Sequence, residues 1–340
     1  MKNIAVGMSG GVDSSTVAYL LHQQKYNVFG VTMDIHEFSY KAVLDAKKVC
    51  SDLGIEHYTI NLRDEFKKNI IDYFKKTYND GKTPNPCAIC NREIKLNLLL
   101  KNAIDLGADV MATGHYARNN FSPLEEAVCK KKDQSYFLSL VKRENLEKLI
   151  FPLGGFSSKE EVRKLFNFKN PPEESQDICF LSNNGYKSVF NDIVEAEGDI
   201  VHVNSLKTLG KHYGVHNYTV GQRKGMGISH EKPLYVIKID KKNNTVFVGE
   251  KEDLYVSKFE INDINWIIDM PEIFEKYIKI RYISKKILAK IEKLADNRAI
   301  VTIVDDLSYD NTTTTAITVA AGQVCCIYDN ETVIGGGIIV

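Results

Sequence analysis

Residues 4–24 read IAVGMSGGVDSSTVAYLLHQQ, and the order of events in this stretch decides the fold. A short apolar run, Ile4–Val6, passes through Gly7, Met8, Ser9, Gly10 and Gly11 and then, beyond Val12, into a segment from Asp13 to Gln24 with helical apolar spacing. A strand that turns directly into a helix aims backbone N–H groups and the positive helix end at one point, which suits an anion. Gly10 and Gly11 let the backbone approach a phosphate with no Cβ in the way. Ser14 and Ser15 add hydroxyl donors. Asp13 either helps to hold Mg²⁺ or shapes the turn. The Lys of a G-x-x-x-x-G-K-[ST] loop is absent, so transfer of a γ-phosphate is not favoured.

Outward from this turn the same alternation continues. VFGVTM (28–33) reads as a strand and a helix follows from about Tyr40 to Leu53. HYTINL (57–62) is a second strand, followed by a helix from about Asp64 to Tyr78. After a proline-rich loop a helix is expected from Arg92 to Leu106, and DVMATGH (109–115) is again a strand. This order predicts an α/β fold with a parallel sheet covered on both faces. Ligands of such sheets bind outside the carboxyl ends of the strands, where the turns Gly7–Ser14 and Thr113–Tyr116 both fall.

The character changes near residue 185. GDIVHV, YTVGQ, PLYVIKI and TVFVGE are short β-rich segments, and Asn243-Asn244 between the last two is a hairpin signal. From about Lys258 come YIKIRYI, KILAKIEKL, RAIVTIV and VCCIYDNETVIGGGII. The run Thr312–Thr315 fits a loop or edge strand. The expected division is residues 1–190 for the nucleotide-binding domain, 191–256 for a small central β domain and 257–340 for a β-barrel-like domain. A chain of 340 residues is too long for one compact core, which agrees with more than one domain.

Hydrophobic residues make up 44% and charged residues 26%, as in an ordinary globular protein. No apolar run is long enough to span a bilayer, and the N-terminus lacks a signal-peptide core, so a cytoplasmic location is expected. The formal net charge of +0 neither points to nucleic acid nor excludes it, because phosphate contacts need only a local patch. Candidate patches are Lys130 to Lys132, then Arg223 and Lys224, then Lys285, Lys286 and Lys290.

Seven cysteines argue against a disulfide framework. Cys50 fits an apolar helix face, and at least one of Cys325 and Cys326 is expected to face a core. Cys87, Cys90 and Cys179 lie in polar or proline-flanked loops and ask for a chemical explanation. Cys90 precedes the helix expected from Arg92, a position where the helix dipole lowers a thiol pKa. Two reactive cysteines far apart in sequence but near one nucleotide loop suggest sulfur transfer.

SGGVDSS (9–15) resembles the pyrophosphate loop of enzymes that cleave ATP between the α- and β-phosphates. The stretches GMSGGVDSS, TPNPCAICNREIK, ATGHYAR, KKDQSYFLSL, IFPLG with SKEEVR, ESQDICF, YTVGQRKGMGI, KIRY and AGQVCCIYD together resemble the bacterial and organellar tRNA-specific 2-thiouridylase family over almost the whole chain. The resemblance implies an adenine-nucleotide α-hydrolase-like N-terminal domain followed by two small β-rich domains. It implies ATP-dependent 2-thiolation of the wobble uridine of tRNAs for Lys, Glu and Gln, with Mg²⁺ and a sulfur donor protein such as a cysteine desulfurase or relay protein. A monomer is expected.

By the same resemblance, Gly7, Met8, Ser9, Gly10, Gly11, Val12, Asp13 and Ser14 bind the ATP phosphates, Met33 lies by the adenosine and Gly114 closes over the nucleotide. Asn85, Pro86 and Cys87 meet the target base. Cys90 is the nucleophile and Cys179 carries the persulfide. His115, the segment Lys132, Asp133 and Gln134, and Arg281, Tyr282 and Gln323 contact tRNA. The chain departs from the family pattern at Cys87, where most relatives carry Asp. The departure creates Cys87-x-x-Cys90 and leaves several readings open: a bystander thiol, a redox pair, a zinc site lacking an adjacent fourth ligand, or a [4Fe-4S] cluster held by Cys87, Cys90 and Cys179. Another adenylating ligase, or a tRNA-binding or sulfur-carrying protein without catalysis, are the rival functions. Neither requires the full set of motifs.

Overall fold

The structure is a computed structural model that describes the chain except residues 1, 38, 120–122, 166–177, 182–188, 191–195 and 305–317. The first part alternates as expected: β1 (Asn3–Gly7), α1 (Val12–Gln23), β2 (Asn27–Asp34), α2 (Ser39–Leu53), β3 (Glu56–Asn61), a helix α3 over 63–79 and a helix α4 over 86–105. β4 (Val110–Thr113), the short β5 (Ala117–Arg118) and β6 (Glu125–Glu126), β7 (Leu149–Ile150) and helix α5 (Lys159–Leu165) follow. Five strands form a parallel sheet in the order β3-β2-β1-β4-β7. Their central residues, among them Ala5, Val6, Val31, Met111 and Ala112, have no solvent exposure. That burial on both faces explains why these strands read as continuous apolar runs. Each fully buried aliphatic side chain contributes about 1.5–3 kcal/mol. The chain starts at β1 and builds outward in both directions, so the order reverses between β1 and β4. That reversal opens the crevice in which ligands of such sheets bind.

The second part is a four-stranded sheet in the order β10-β11-β8-β9, with β8 (Glu197–His202), β9 (Thr208–Tyr213), β10 (Tyr235–Asp240) and β11 (Thr245–Gly249). The β10–β11 hairpin turns at Asn243-Asn244, with Asn244 at φ 47°. YTVGQ is not a strand. Gly221 takes φ 89° there, its N–H donates to Val236 O (2.7 Å), and the segment turns instead of extending.

The third part is a barrel of β12 (Lys258–Trp266), β13 (Ile273–Lys279), β14 (Ile287–Leu294), β15 (Arg298–Ile303), β16 (Val324–Asp329) and β17 (Thr332–Ile339). The β12–β17 pairing closes it. β6 joins the outside of β17 through Thr332 and Glu125, so a strand pair from the first part is stitched to the barrel. The run Thr312–Thr315 lies outside the described residues, as do Glu174–Asp177 of the ESQDICF motif. Among the described residues no helix is long and apolar enough to cross a membrane.

Candidate functional site

The glycine-rich turn leaves β1 and enters α1 with Gly11 at the N-cap, where no side chain caps the helix. The first-turn N–H groups are therefore presented to an anion. Gly10 sits at φ 74°, and a Cβ there would meet Asp45 Cβ at 2.8 Å and Ala42 O at 3.0 Å, so α2 presses against the turn and fixes it. Ser9 and Ser14 brace it from inside. Ser9 N donates to Ser14 Oγ (3.1 Å), and Ser14 Oγ donates to Gly11 O (3.2 Å). Gly114, just past β4, lies against the same loop, where a Cβ would sit 3.0 Å from Ser14 N. The two turns expected at the sheet edge thus touch. Met33 lies near the end of β2, partly buried on the same edge.

Asp13 has both oxygens engaged. Tyr116 Oη donates to Oδ1 (2.9 Å), and Lys159 Nζ, from α5, donates to Oδ2 (3.0 Å). Tyr116 is 2% exposed and Lys159 is 9% exposed. Of the two roles open for Asp13, this geometry favours shaping the loop. It also places a lysine and a tyrosine against the glycine-rich turn that the residue pattern alone does not single out, although both stand inside quoted motifs.

The cysteine segment is gripped from two sides. Gln323 Nε2 donates to Thr83 O (3.2 Å) and Pro84 O (3.1 Å), and Thr83 N donates to Ala321 O (2.7 Å). Asn85 Oδ1 accepts from Ala88 N (3.1 Å) and caps α4, with Pro86 in the first turn. The helix therefore starts at Pro86, not Arg92. Cys87 falls in its first turn, exposed, and Cys90 lies a turn deeper, 5% exposed. The expected depression of the Cys90 pKa is overturned. Burial pushes that thiol up to about 12, and the attraction of Lys95 offsets only part of it. Cys87 and Cys179 are raised too, mainly by desolvation, with Lys95 again acting downward.

Lys95 follows Cys90 by five residues, on a π-helical stretch of α4, Asn91–Leu98, in which Leu96 is non-helical (φ −105°, ψ 19°). The wider turn lets the Lys95 backbone N–H reach the Cys90 sulfur. Desolvation lowers the Lys95 pKa, but the three thiolates outweigh it and the net shift is upward. Cys179, from a distant stretch, is exposed, and its neighbour Phe180 is pinned between Phe66 (5.9 Å) and Phe74 (5.3 Å). All seven cysteines are free thiols. Cys87, Cys90 and Cys179 share one recess. Among the described residues, no group of three or more His, Cys, Asp or Glu side chains is arranged to hold a metal ion. The Lys95 ammonium acts on each of the three sulfurs.

His115 borders this recess. Its Nδ1 pairs with Thr113 Oγ1 (2.8 Å), and burial, aided by Lys95, drives its pKa down to about 3. It meets a partner as a neutral ring. Asp133 is 4% exposed and accepts from Ala127 N (2.9 Å) and Ser135 Oγ (2.9 Å), and Gln134 Oε1 accepts from Tyr116 N (2.9 Å). These two side chains brace their segment against the nucleotide side, while Lys132 is half-buried. Arg281 Nη2 donates to Val220 O (2.9 Å), and its buried Nε has no hydrogen-bond partner among the described residues. Tyr282 packs on Phe137 (centroids 4.7 Å apart). The structure thus gathers the residues into a glycine-rich turn, a thiol recess and a seam between barrel and cysteine segment.

Residues 2–183 match the tRNA methyl transferase HUP domain, 188–250 the tRNA methyl transferase PRC-barrel domain and 256–339 the aminomethyltransferase beta-barrel domain. The chain is 43% identical over 363 aligned positions to the tRNA-specific 2-thiouridylase MnmA of Rickettsia prowazekii (strain Madrid E), covering 99% of this chain and 98% of that protein. It is likewise 43% identical to the MnmA of Rickettsia typhi (strain ATCC VR-144 / Wilmington), with the same coverage. Among solved structures, the U34-tRNA thiolase NcsA from Methanococcus maripaludis with its [4Fe-4S] cluster aligns at TM-score 0.35 and 24% identity, over 48% of this chain and 56% of that chain.

Proposed function

The chain belongs to the tRNA-specific 2-thiouridylase family and is an ATP-dependent sulfurtransferase acting on tRNA uridine, and from that premise we propose that Cys179 and Cys90 deliver sulfur to carbon 2 of the wobble uridine. The observation that carries this reading is the shared recess of Cys87, Cys90, Cys179 and Lys95 beside His115, one residue from the Gly114 that abuts the phosphate loop.

ATP is held by the turn from Gly7 to Ser14, with Met33 by the adenosine and Gly114 over the nucleotide, and Mg²⁺ accompanying it would neutralise phosphate charge. The uridine, swung out of the anticodon stack against Asn85, Pro86 and Cys87, attacks the α-phosphorus through O2 and expels pyrophosphate. The terminal sulfur of a Cys179 persulfide attacks C2 and AMP leaves. The Cys90 thiolate then attacks the Cys179 sulfur. The electron pair of the broken S–S bond stays on the transferred sulfur as the 2-thione, and a Cys90–Cys179 disulfide remains for an external dithiol to reduce. The exposure of Cys179 suits loading by a donor protein such as a cysteine desulfurase or relay protein, and the burial of Cys90 protects the resolving thiol until uridine is in place.

His115, Lys132, Gln134, Arg281, Tyr282 and Gln323 line the approach of tRNA, and Asp133 acts through the segment it braces. The substrates are the tRNAs for Lys, Glu and Gln, and the enzyme works as a cytoplasmic monomer of three units meeting at 190/191 and 256/257. The test is anaerobic purification with iron and sulfide quantified, then single-turnover thiolation with a persulfide-loaded enzyme. Transfer without iron, lost in Cys90→Ser and Cys179→Ser, supports the relay. About four irons per chain, as a cubane requires, with activity lost on stripping, would replace it by a cluster on Cys87, Cys90 and Cys179.

A further inference from the structure

In two of the three basic patches in the sequence some of the lysines are engaged in ion pairs. Lys130 bonds Glu126 and Glu331, Lys286 bonds Glu126, and Lys290 bonds Glu292. The third is left open. Arg223 and Lys224 are exposed, and neither side chain makes an ion pair or hydrogen bond among the described residues. The loop that carries them is nonetheless rigidly built. Thr219 N donates to Gln222 Oε1 (3.0 Å), Gln222 Nε2 donates to Lys224 O (2.9 Å), and Val236 N donates to Gln222 O (2.9 Å). Gly225 and Gly227, at φ 79° and 68°, flank Met226, which plugs into the core of the central domain at 7% exposure. A loop this tightly braced holds its two cations out to solvent at a fixed place.

Beside it lies a recess of about 340 Å³ with a mainly polar surface, lined by Arg223, His230, Glu231 and Lys232 and by Ile228 and Pro233, with Met226 and Leu234 almost wholly buried. The His230 ring stacks on His202 (5.6 Å, 28°), which presents a flat face. Lys232, also on the rim, is engaged by Glu250 (2.8 Å), so the open charge is that of Arg223 and Lys224. A flat ring and exposed cations are what an unstacked nucleotide requires: a surface for the base and charge for its phosphates. The loop is also continuous with the barrel, because Arg281 donates to Val220 O, three residues before Arg223.

We infer that this recess of the central domain takes one unstacked nucleotide of the substrate tRNA, its base on the His230 ring and its phosphates on Arg223 and Lys224. The inference rests on the proposed reading that tRNA passes over Arg281 and Tyr282. It adds an RNA contact on a domain to which that reading gives none.

The test is the affinity of the full chain for an unmodified tRNA transcript across a salt series, with chemical footprinting of the bound RNA. In the Arg223→Ala/Lys224→Ala double variant, binding weakens about tenfold and the slope of log affinity against log salt becomes shallower by about one per lost phosphate contact. ATP affinity and melting temperature stay unchanged, and one nucleotide shielded in the wild type becomes reactive, as it also does in His230→Ala. Unchanged affinity, slope and footprint in the double variant, with thiolation intact, overturn the inference while the thiolase reading stands. Binding of free AMP at a second site, lost in the double variant without effect on tRNA, overturns it by assigning the recess to a free nucleotide. A wild-type chain that binds no tRNA overturns the reading beneath it as well.

Discussion

Lys95 acts on Cys87, Cys90 and Cys179 alike. Because burial holds the Cys90 thiol up at about 12, little of it is thiolate near neutrality, and the fraction grows about tenfold per pH unit below that value. The sulfur-release step is therefore expected to accelerate with a slope near +1 in log rate between pH 7 and 9, measured in single turnovers with preformed adenylate. Lys95→Met removes the countercharge, and release should slow about tenfold, roughly 1.4 kcal/mol of barrier. Lys95→Arg should recover most of that rate, and alkylation of Cys179 by iodoacetamide should slow in the Met variant alone. Equal loss in both variants, or unchanged alkylation, would reduce Lys95 to packing. His115 carries a separate signature. Its folded pKa of about 3 lies below the unfolded value of about 6.5, so its contribution to stability is full above pH 6.5 and is lost as pH falls toward 3. Urea unfolding over that range should show a smaller loss in His115→Asn than in the wild type. None of this was legible in the residues themselves. The sequence identified the three thiols, but the depth of Cys90 depends on a helix that begins at Pro86. The partnership with Lys95 depends on a π turn that brings a residue five positions on to the same sulfur.

The seam between β16 and the start of α4 carries the next expectation. Gln323 donates twice, to Thr83 O and Pro84 O, just ahead of the residues proposed to meet the uridine. A contact made only with tRNA would change affinity. A latch on the cysteine segment would change the rate at saturating tRNA. Gln323→Ala is expected to lower single-turnover thiolation severalfold with ATP affinity unchanged, since each hydrogen bond is worth about 1 kcal/mol. A pure shift in tRNA Kd would assign Gln323 to the RNA alone. At this scale the sequence was most readable where period and turn chemistry act locally. The β1 turn, α2 and the Asn243-Asn244 hairpin all follow from short-range signals. YTVGQ misled because its alternation is that of a strand, while the positive φ of Gly221 and its bond to Val236 turn the chain. Lys159 was hidden for a different reason. Its partner Asp13 is 146 residues away, and no local pattern announces an ion pair made by the packing of α5 on α1.

Across the whole molecule, the first part and the barrel share one core. Tyr136, Leu138 and Leu140 from the first part pack in the same cluster as Val324, Cys326, Tyr328 and Val333 from the barrel. Tyr136 Oη donates to Val324 O (2.8 Å), and Asn265 Nδ2 donates to Val141 O (2.8 Å). The central domain instead keeps its own cluster around Ile200, Val236, Val246 and Val248. It meets the rest through the His216 ring stacked on Phe190 (5.0 Å), which packs on Phe74, and through Lys241 with Asp80 (2.6 Å) and Arg281 with Val220. A shared core melts as a unit, whereas a domain that keeps a separate core and meets the rest over a small seam opens on its own. Calorimetry of the full chain is therefore expected to resolve two transitions, the larger belonging to the first part and barrel together. Tyr328→Ala, which removes a fully buried ring from the shared core, should lower the larger transition by about 3–5 kcal/mol and leave the smaller in place. Val246→Ala should do the reverse. If Tyr328→Ala split the larger transition, the barrel would be an independent unit, and the alignment of Gln323 with the cysteine segment would not be enforced by a common core. Cooperative melting would mean that the fold itself holds the barrel's RNA-facing residues in register with the thiols, over a sequence separation that no motif spans.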